Sequence, residues 1–331
     1  MRREVGIVIQ RDDPTPIVLA TYRDVRVGMV VIMILLFASV VIEQLTATCW
    51  QLAISAYYYT SAHSIVIASL LALGTLFIVY KGSSDTEDAL LTLAGVCALI
   101  AAMVPQGRPG MLCGRDDLPP QFQPAIQPNV WAVVIALVLG WLIMLVLHLR
   151  THSQQKKSPI GTLATGFFWL VMALGLFALV VVPDWFNENA HGIAGLLMLS
   201  SFIVTVFVTA YVTSKEDDSK APHRRAYECF YWSVAILMLV TLIIIVLLHL
   251  AFPAWTHWTL WFEAGLIFEF AGYWAVQTGE LWNTPDRRKL LSDDTQRWIA
   301  EWPTEGGFAG LQSALTGSRN EFAGQGLLPY L

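Results

Sequence analysis

Residues 260–282 read LWFEAGLIFEFAGYWAVQTGELW, an apolar run that carries two acids, Glu263 and Glu269, among its aromatic and aliphatic side chains. A helix of about 20 apolar residues crosses the hydrocarbon core of a bilayer. At 100° per residue, Glu269, Tyr273 and Gln277 fall on one side of this helix, with Glu263 roughly 120° from Glu269. The pattern predicts a membrane helix whose polar stripe faces other helices, because ionisable groups inside membranes nearly always face the interior of a bundle.

The composition of the whole chain is typical of a membrane protein. Of its 331 residues, 56% are hydrophobic and only 14% are charged, and the mean hydropathy is +0.57. A soluble protein of this size needs more polar residues to cover its surface. We therefore expect an all-α, polytopic membrane helix bundle that contacts mainly lipid, and we do not expect nucleic acid as a partner.

Eight apolar stretches of bilayer-spanning length follow one another along the sequence. The predicted spans are residues 27–47, 62–80, 88–105, 128–149, 160–182, 190–214, 228–250 and 257–281. They predict one transmembrane domain over 27–282, between an N-terminal arm at 1–26 and a tail at 283–331. Within the arm, residues 5–10 and 17–20 are β-prone, so a small hairpin and an irregular segment both remain open.

The basic residues predict the orientation of the bundle. Lys and Arg stay on the cytoplasmic side during insertion, and 18 of the 20 lie on that side if both termini are cytoplasmic. Only Arg108 and Arg115 fall outside, in a predicted external loop at 106–127. We therefore expect a multi-pass protein with both termini in the cytoplasm. The apolar run VGIVIQ after the first arginines is too short for a signal peptide.

Two cytoplasmic segments contain helix-start signals. Ser84 followed by Glu87 is a capping box that opens the third span. Asp293 followed by Gln296 has the same spacing and opens a short amphipathic helix near 293–302. That helix could lie on the membrane or on a protein partner, whereas the chain beyond it has too little apolar surface to fold by itself.

The four cysteines divide into two pairs by their predicted positions. Cys49 lies at the external end of the first span, and Cys113 lies in the external loop 106–127. An oxidising compartment permits a disulfide between them, but sequence gives no distance, so a bridge and two free thiols both remain open. Cys97 and Cys229 lie within spans, where we expect small buried hydrophobic side chains.

Histidines and carboxylates collect at the predicted external ends of the spans. His63, His191, His249 and Asp184 are the candidate metal ligands, because imidazole and carboxylate groups bind zinc. Histidines at span ends also serve as interfacial anchors, so zinc is considered but no cofactor is predicted. Glu43, four residues from the external end of the first span, belongs to the same outer layer of polar groups. The candidate intramembrane polar site is Glu43, Glu263, Glu269, Tyr273 and Gln277.

Parts of the sequence resemble a group of uncharacterised bacterial multi-pass membrane proteins. The run SAYYYTSAHS at 55–64, the segment YKGSSDTEDALLTLAG at 80–95 and Pro105 resemble the first half of such proteins. The last span, with Glu263, resembles their end. His63 stands where we expect arginine in that group. The resemblance implies a location in the bacterial cytoplasmic membrane and carries over no activity.

Three functions fit the sequence. The favoured one is a non-catalytic subunit or accessory factor of a membrane complex, because the motifs HExxH, GxSxG, CxxC and the Walker loop are absent. The second is a proton-coupled transporter that uses Glu269, although no internal repeat is found. The third is a lipid-active, metal-dependent enzyme or a lipid receptor that uses the outer layer of histidines and carboxylates. An enzyme is thus not favoured, and its catalytic residues are unknown.

Overall fold

The computed structural model describes residues 16–114, 116–151, 158–284 and 286–301. The start of the N-terminal arm and the tail beyond residue 301 lie outside these ranges. Within them the chain is all-α, with no β-strand and a single isolated bridge between Glu216 and Leu291. Its helices are α1 (Pro16–Thr46), α2 (His63–Val79), α3 (Asp85–Met103), α4 (Ile126–Thr151), α5 (Pro159–Val181), α6 (Pro183–Thr213), α7 (Arg224–Ala251), α8 (Trp258–Glu280) and α9 (Asp293–Glu301), with 3-10 turns at Ser55–Tyr59 and Arg287–Leu290.

Six of the described helices are long and apolar enough to cross a membrane, namely α1, α3, α4, α5, α6 and α7. Helix α2 is apolar but has only 17 residues. Helix α8 has the length, but Glu263, Glu269 and Glu280 make it less apolar. The prediction of an apolar, all-α, multi-pass bundle is confirmed at this level. The count of eight spans and the orientation stay predictions.

Consecutive helices run in opposite directions, which gives the bundle two ends. At one end the start of α8 meets the α1–α2 connection, where Leu260 N donates to Leu52 O at 3.0 Å. At the other end Arg23 Nε on α1 donates to Trp282 O, just after α8, at 2.8 Å. We name the first the disulfide end and the second the arginine end, for residues described below.

Helices α3 and α6 form the centre of the bundle. Helix α3 packs against α2, α4, α5 and α6, while α1 closes the ring by packing against α2 and α8. The core is aromatic: Phe202 of α6 stacks on Phe270 of α8 with ring centroids 3.9 Å apart, and Phe77 of α2 lies edge-on to both. Offset and edge-to-face contacts of this kind stabilise aromatic cores.

Helices α2 and α3 approach each other most closely at Gly74 and Gly95. A Cβ on Gly74 would lie 2.7 Å from Gly95 O, and a Cβ on Gly95 would lie 2.6 Å from Gly74 O. Both distances are shorter than real Cβ atoms allow. Paired small residues permit such contacts between helices in membranes, so these two glycines set the distance between α2 and α3.

The apolar surface is widest on α4. Only 6% of its most apolar window is buried, against 67% for α3. It contacts α3 near its start, and Trp141 lies edge-on to Trp169 of α5 with centroids 5.5 Å apart. An apolar surface of this size is suited to lipid rather than to water.

Two helices begin earlier than the sequence predicted. Helix α1 includes residues 17–20, so neither open alternative, a small hairpin or an irregular segment, holds there, while residues 5–10 lie outside the described residues. Helix α6 begins at Pro183, so Asp184 lies on its first turn and not in a loop. Proline is favoured at the first helical position because its missing N–H is not needed there. Pro183 therefore marks the start of α6, and Pro16 is the first described residue of α1.

The first part of the predicted tail folds back on the arginine end. Asp217 N, in the α6–α7 connection, donates to Leu290 O at 2.9 Å. Ser292 Oγ accepts from Thr295 N at 3.2 Å, so Ser292 caps α9. The predicted cap at Asp293 is therefore one residue too late. A hydroxyl cap and a carboxylate cap satisfy the same free N–H groups. For this reason the spacing alone did not distinguish Ser292 from Asp293 as the capping residue.

Candidate functional site

The two acids that begin the polar stripe of α8 contact different elements. Glu263 Oε2 accepts a hydrogen bond from Ser55 N at 3.1 Å, which fastens the turn Ser55–Tyr59 to α8. Glu269 Oε1 accepts from Thr241 Oγ1 of α7 at 2.6 Å. Its other oxygen is buried, with no hydrogen-bond partner in the described part of the chain. The two carboxylates therefore lie in separate polar environments.

Tyr273 and Gln277 belong to a buried chain of hydrogen bonds that starts at Arg26. Arg26 Nη2 donates to Gln277 Oε1 at 2.7 Å, and Gln277 Nε2 donates to Tyr273 OH at 2.9 Å. The Tyr273 hydroxyl lies 2.8 Å from Thr209 Oγ1 of α6. All four side chains are buried. The chain joins α1, α8 and α6 across the core.

Aromatic rings surround the guanidinium of Arg26. Its Nη1 donates to Tyr22 OH at 2.6 Å and to Tyr80 OH at 2.5 Å. Its Cζ lies 5.3 Å from the ring centroid of Trp274, and the rings of both tyrosines are at a similar distance. A desolvated cation over an aromatic face gains about 2 kcal/mol. The charge of Arg26 is thus stabilised by rings, hydroxyls and an amide.

A second buried arginine, Arg287, lies just after α8. Its Nη1 donates to Thr213 Oγ1 at 2.6 Å and to Glu216 Oε1 at 2.5 Å. Its Nη2 bonds Glu280 Oε2, which also accepts from Tyr231 OH at 2.5 Å. The side chains of Arg287 and Glu216 are 0% exposed. This ion-pair network fastens the start of the tail to the ends of α6 and α8 and to α7.

Burial and neighbouring charges determine the ionisation of this network. Burial raises the pKa of Glu216 to about 7, although Arg287 beside it acts in the opposite direction. Burial acts to lower the pKa of Arg287. The carboxylates of Glu280 and Glu216 outweigh this effect and hold the pKa well above its usual value. Arg287 is therefore a fixed cation, whereas Glu216 exchanges its proton near neutral pH.

Glu87 adds a third acid to the arginine end. The predicted capping box is confirmed, because Ser84 Oγ accepts from Glu87 N at 3.1 Å. Glu87 Oε2 accepts from Ser83 N at 2.8 Å, while its Oε1 is buried and without a hydrogen-bond partner within the described ranges. Arg287 and Arg26 both act electrostatically on Glu87. We name the assembly the arginine cluster: Arg26, Glu87, Glu216, Tyr273, Gln277, Glu280 and Arg287.

From the sequence, Arg26 and Arg287 are expected only as cytoplasmic charges, and their burial is not predicted. A signal existed for Arg26, which lies one residue before the predicted span 27–47 and four residues after Tyr22, on the same face of a helix. For Arg287 no signal existed. Its neighbours Arg288 and Lys289 have the same chemistry, and only the fold of the tail decides which of the three is buried.

The candidate metal ligands have separate surroundings. His63 Nδ1 lies 2.5 Å from a carbonyl of the tyrosine-rich turn, and His191 Nδ1 lies 2.7 Å from Val104 O. His249 packs against a tryptophan ring, and Asp184 is exposed. In the described ranges no group of three or more His, Cys, Asp or Glu side chains could hold a metal ion. The structure does not bring these four residues together.

At the disulfide end, Cys49 and Cys113 are joined by a disulfide, with their Cα atoms 5.1 Å apart. This separation lies within the usual range for bridged cysteines. Cys97 is buried, as expected. Cys229 is exposed on α7, so its predicted burial is wrong. An apolar span has a lipid-facing side, and the sequence alone did not show that Cys229 lies on it.

Glu43 also lies at the disulfide end, as does Glu263, whereas Tyr273 and Gln277 lie towards the arginine end. Its Oε2 accepts a hydrogen bond from Ser61 Oγ in the α1–α2 connection. Its side chain is buried, and its Oε1 has no hydrogen-bond partner among the residues described. The five residues of the predicted intramembrane site are thus distributed over both ends and the middle of the bundle.

Comparison of the chain with models of protein families, with curated proteins and with solved structures finds no match. The buried polar groups of the arginine cluster and of the disulfide end are the features of the structure that bear on function.

Proposed function

We propose that this chain is an eight-span protein of the bacterial cytoplasmic membrane, with both termini in the cytoplasm, that serves as a non-catalytic subunit or accessory factor of a membrane complex. The observation that carries the proposal is the arginine cluster. Its arginines bond to distant segments of the same chain, as in the contacts of Arg26 with Gln277 and of Arg287 with Glu216. Interhelical hydrogen bonds of this kind fix helix packing in membranes.

The eight-span arrangement is supported by the environments of α2 and α8. A helix of 17 residues is at the short end of the range that crosses a bilayer. The acids of α8 accept hydrogen bonds from Ser55, Thr241 and Tyr231, so α8 does not present all its carboxylates to lipid. The orientation is supported by the distribution of Lys and Arg. The bacterial location is supported by the resemblance of residues 55–64 and 80–95 to multi-pass bacterial proteins.

A protein partner would meet this chain most simply at the arginine end. The start of the tail is fastened there, with Lys220 Nζ donating to Asp293 Oδ1 at 2.6 Å. Helix α9 is therefore held at this end, where a second protein on the same side of the membrane could contact it. Membrane lipid would cover the apolar faces of α4, α5 and α7.

The experiment that tests this proposal is extraction of the full chain in mild detergent, followed by identification of bound proteins and metal analysis on the same sample. A stoichiometric partner protein without bound metal supports the accessory role. A lone chain with about one zinc ion per molecule contradicts that role and favours the outer histidines instead. Accessibility of single cysteines introduced near each terminus tests the orientation, and labelling from outside intact cells would contradict it.

A proton-coupled transporter is the second candidate, and one observation favours it. Glu269 Oε2 is buried and without a hydrogen-bond partner in the described ranges, and such a group is suited to take up a proton. Proteoliposomes that contain a pH-sensitive dye would be screened with candidate solutes. A solute-dependent proton flux that is lost in Glu269→Gln but kept in Glu263→Gln would favour the transporter. A flux that both variants keep would remove Glu269 from the mechanism.

A further inference from the structure

Two carboxylates at the disulfide end face the same small space beside Gly114. Glu43 Oε1 and Asp117 Oδ1 are buried, and neither has a hydrogen-bond partner among the described residues. A Cβ on Gly114 would overlap both oxygens. The two carboxylates therefore lie close together, at a position where only a glycine leaves room for them.

The segment that carries Asp117 is held firmly on both sides. On one side the disulfide joins Cys113 to Cys49, and Thr48 N donates to Cys113 O at 2.8 Å. On the other side Leu118 N donates to Tyr59 O at 2.8 Å. Glu43 itself is fixed on α1 and accepts from Ser61 Oγ. The space between the two carboxylates is thus built by four anchored segments and is not a chance arrangement of a loose loop.

Two ionised carboxylates do not share a buried space without a compensating charge or proton. Burial first, and then the charge of Glu43, raise the pKa of Asp117, and they outweigh a backbone hydrogen bond from Gly114 and the charge of Arg108, which act in the opposite direction. A second group nearby also lacks a partner. The side chain of Gln51 is 2% exposed, and both its amide atoms have no hydrogen-bond partner in the described part of the chain. The backbone of Gln51 and the Glu43 carboxylate both act on the hydroxyl of Tyr57, so the Gln51 backbone and Glu43 belong to the surroundings of the same tyrosine.

We propose that Glu43 and Asp117 bind a divalent cation of the calcium class at the disulfide end. Calcium prefers oxygen ligands, accepts carboxylate, amide, hydroxyl and water oxygens together, and tolerates irregular geometry. The two carboxylates supply the charge, and Ser61 Oγ, which bonds Glu43, supplies a neutral oxygen beside them. Modules on the outside of cells bind calcium with dissociation constants of about 0.1–1 mM. The site stands independently of the proposed accessory role.

The test uses the full-length protein in detergent, treated with chelator and then titrated with CaCl₂ while thermal unfolding is followed. Calcium at several millimolar is expected to raise Tm by about 2–4 °C, because a ligand that binds only the folded state stabilises it. Glu43→Gln and Asp117→Asn are expected to remove this rise. Asp184→Asn, at an exposed acid of the same end, is the matched control and should keep it.

Without calcium, Asp117→Asn should have a Tm equal to or above the wild type, because it removes repulsion between the carboxylates. This result would show that the variant is folded. The loss of its response to calcium would then be due to loss of calcium binding. The proposal is overturned by a wild type that does not respond, by a response that both variants keep, or by an equal response to NaCl at matched ionic strength. It is also overturned if calcium raises the Tm of Arg115→Ala but not that of the wild type. The side chain of Arg115, next to Gly114 in sequence, would then be the counter-ion of the two carboxylates.

Discussion

Gln277 Oε1 accepts a hydrogen bond from Arg26 Nη2 at 2.7 Å, within the buried contact between α8 and α1. The two residues are 251 positions apart in sequence. The bond therefore closes the bundle by fixing its first helix to its last one. Because a charged donor leaves a large desolvation cost if it loses its acceptors, the contact also selects the register in which α1 lies against α8.

Arg26→Met is expected to lower Tm by about 5–10 °C, because Tyr22, Tyr80 and Gln277 lose a charged partner in a buried site and each unsatisfied group costs about 1–3 kcal/mol. Thermal unfolding in detergent measures the change. Arg225→Met, at an exposed arginine of the same end, should change Tm by no more than about 2 °C. Equal effects of the two substitutions would show that burial of Arg26 contributes nothing.

Arg287→Gln is expected to release the start of the tail, because Glu216 and Glu280 then remain as two buried acids without their cation. Removing one partner of a buried ion pair costs about 3–5 kcal/mol. Limited proteolysis within residues 286–301 should become at least several-fold faster. Arg288→Gln is the matched control, since the side chain of Arg288 is 49% exposed and its Nη2 lies 3.6 Å from Asp85 Oδ1. A tail that is cleaved at the same rate in both variants would contradict the proposed fastening.

Raising the pH should weaken the contact between the tail and the bundle. The pKa of Glu216 is about 7 in the folded chain and 4.5 as its ordinary value, so the folded state binds more protons between these values. Its contribution to stability is fully present below about pH 4.5 and is lost as pH rises through about 7, at about 1.4 kcal/mol per unit of pKa difference.

Tm measured between pH 5 and 8 tests this direction. The wild type should lose more Tm over this interval than Glu216→Gln, whose side chain does not titrate. Asp218→Asn, at an exposed acid of the same connection, should behave as the wild type. A pH dependence that persists in Glu216→Gln would assign the effect to another group.

Reduction of the disulfide, or Cys113→Ser, is expected to lower stability by roughly 2–4 kcal/mol. The bridge closes a loop with a sequence separation of 64 residues, so its loss restores considerable freedom to the unfolded chain. Tm with and without reductant measures the effect. Cys229→Ser, at an exposed thiol, should leave the reductant effect in place, whereas Cys113→Ser should abolish it. A reductant effect that survives in Cys113→Ser would exclude the bridge.

Gly74→Ala is expected to destabilise the protein by about 1–3 kcal/mol, because the added methyl group would press on the Gly95 carbonyl oxygen, a backbone atom that cannot move aside as a side chain can. Gly166→Ala is the matched control, since a Cβ on that helical glycine would meet nothing within 4 Å. It should be neutral or slightly stabilising, as alanine favours the helix. Similar losses at both positions would contradict the close packing of α2 and α3.

The polar stripe of α8 shows where prediction from sequence ends. Its periodicity correctly placed Tyr273 and Gln277 towards the interior, because polar groups avoid lipid. It did not show that Glu263 meets a turn, that Glu269 meets α7, or that Glu43 belongs to the opposite end from Gln277. Those assignments depend on which helices are neighbours, and a helical period of 3.6 residues carries no information about neighbours.

The sequence by itself determined that the chain is an apolar all-α bundle, because the lengths of its apolar runs and the segregation of its charges are local properties. It also determined the start of α3, since Ser84 and Glu87 act within one turn. Only the tertiary structure decided that Arg26 and Arg287 are buried while Arg225 and Arg288 are not. The burial of a charge depends on acceptors supplied by distant segments, and these meet only when the helices pack.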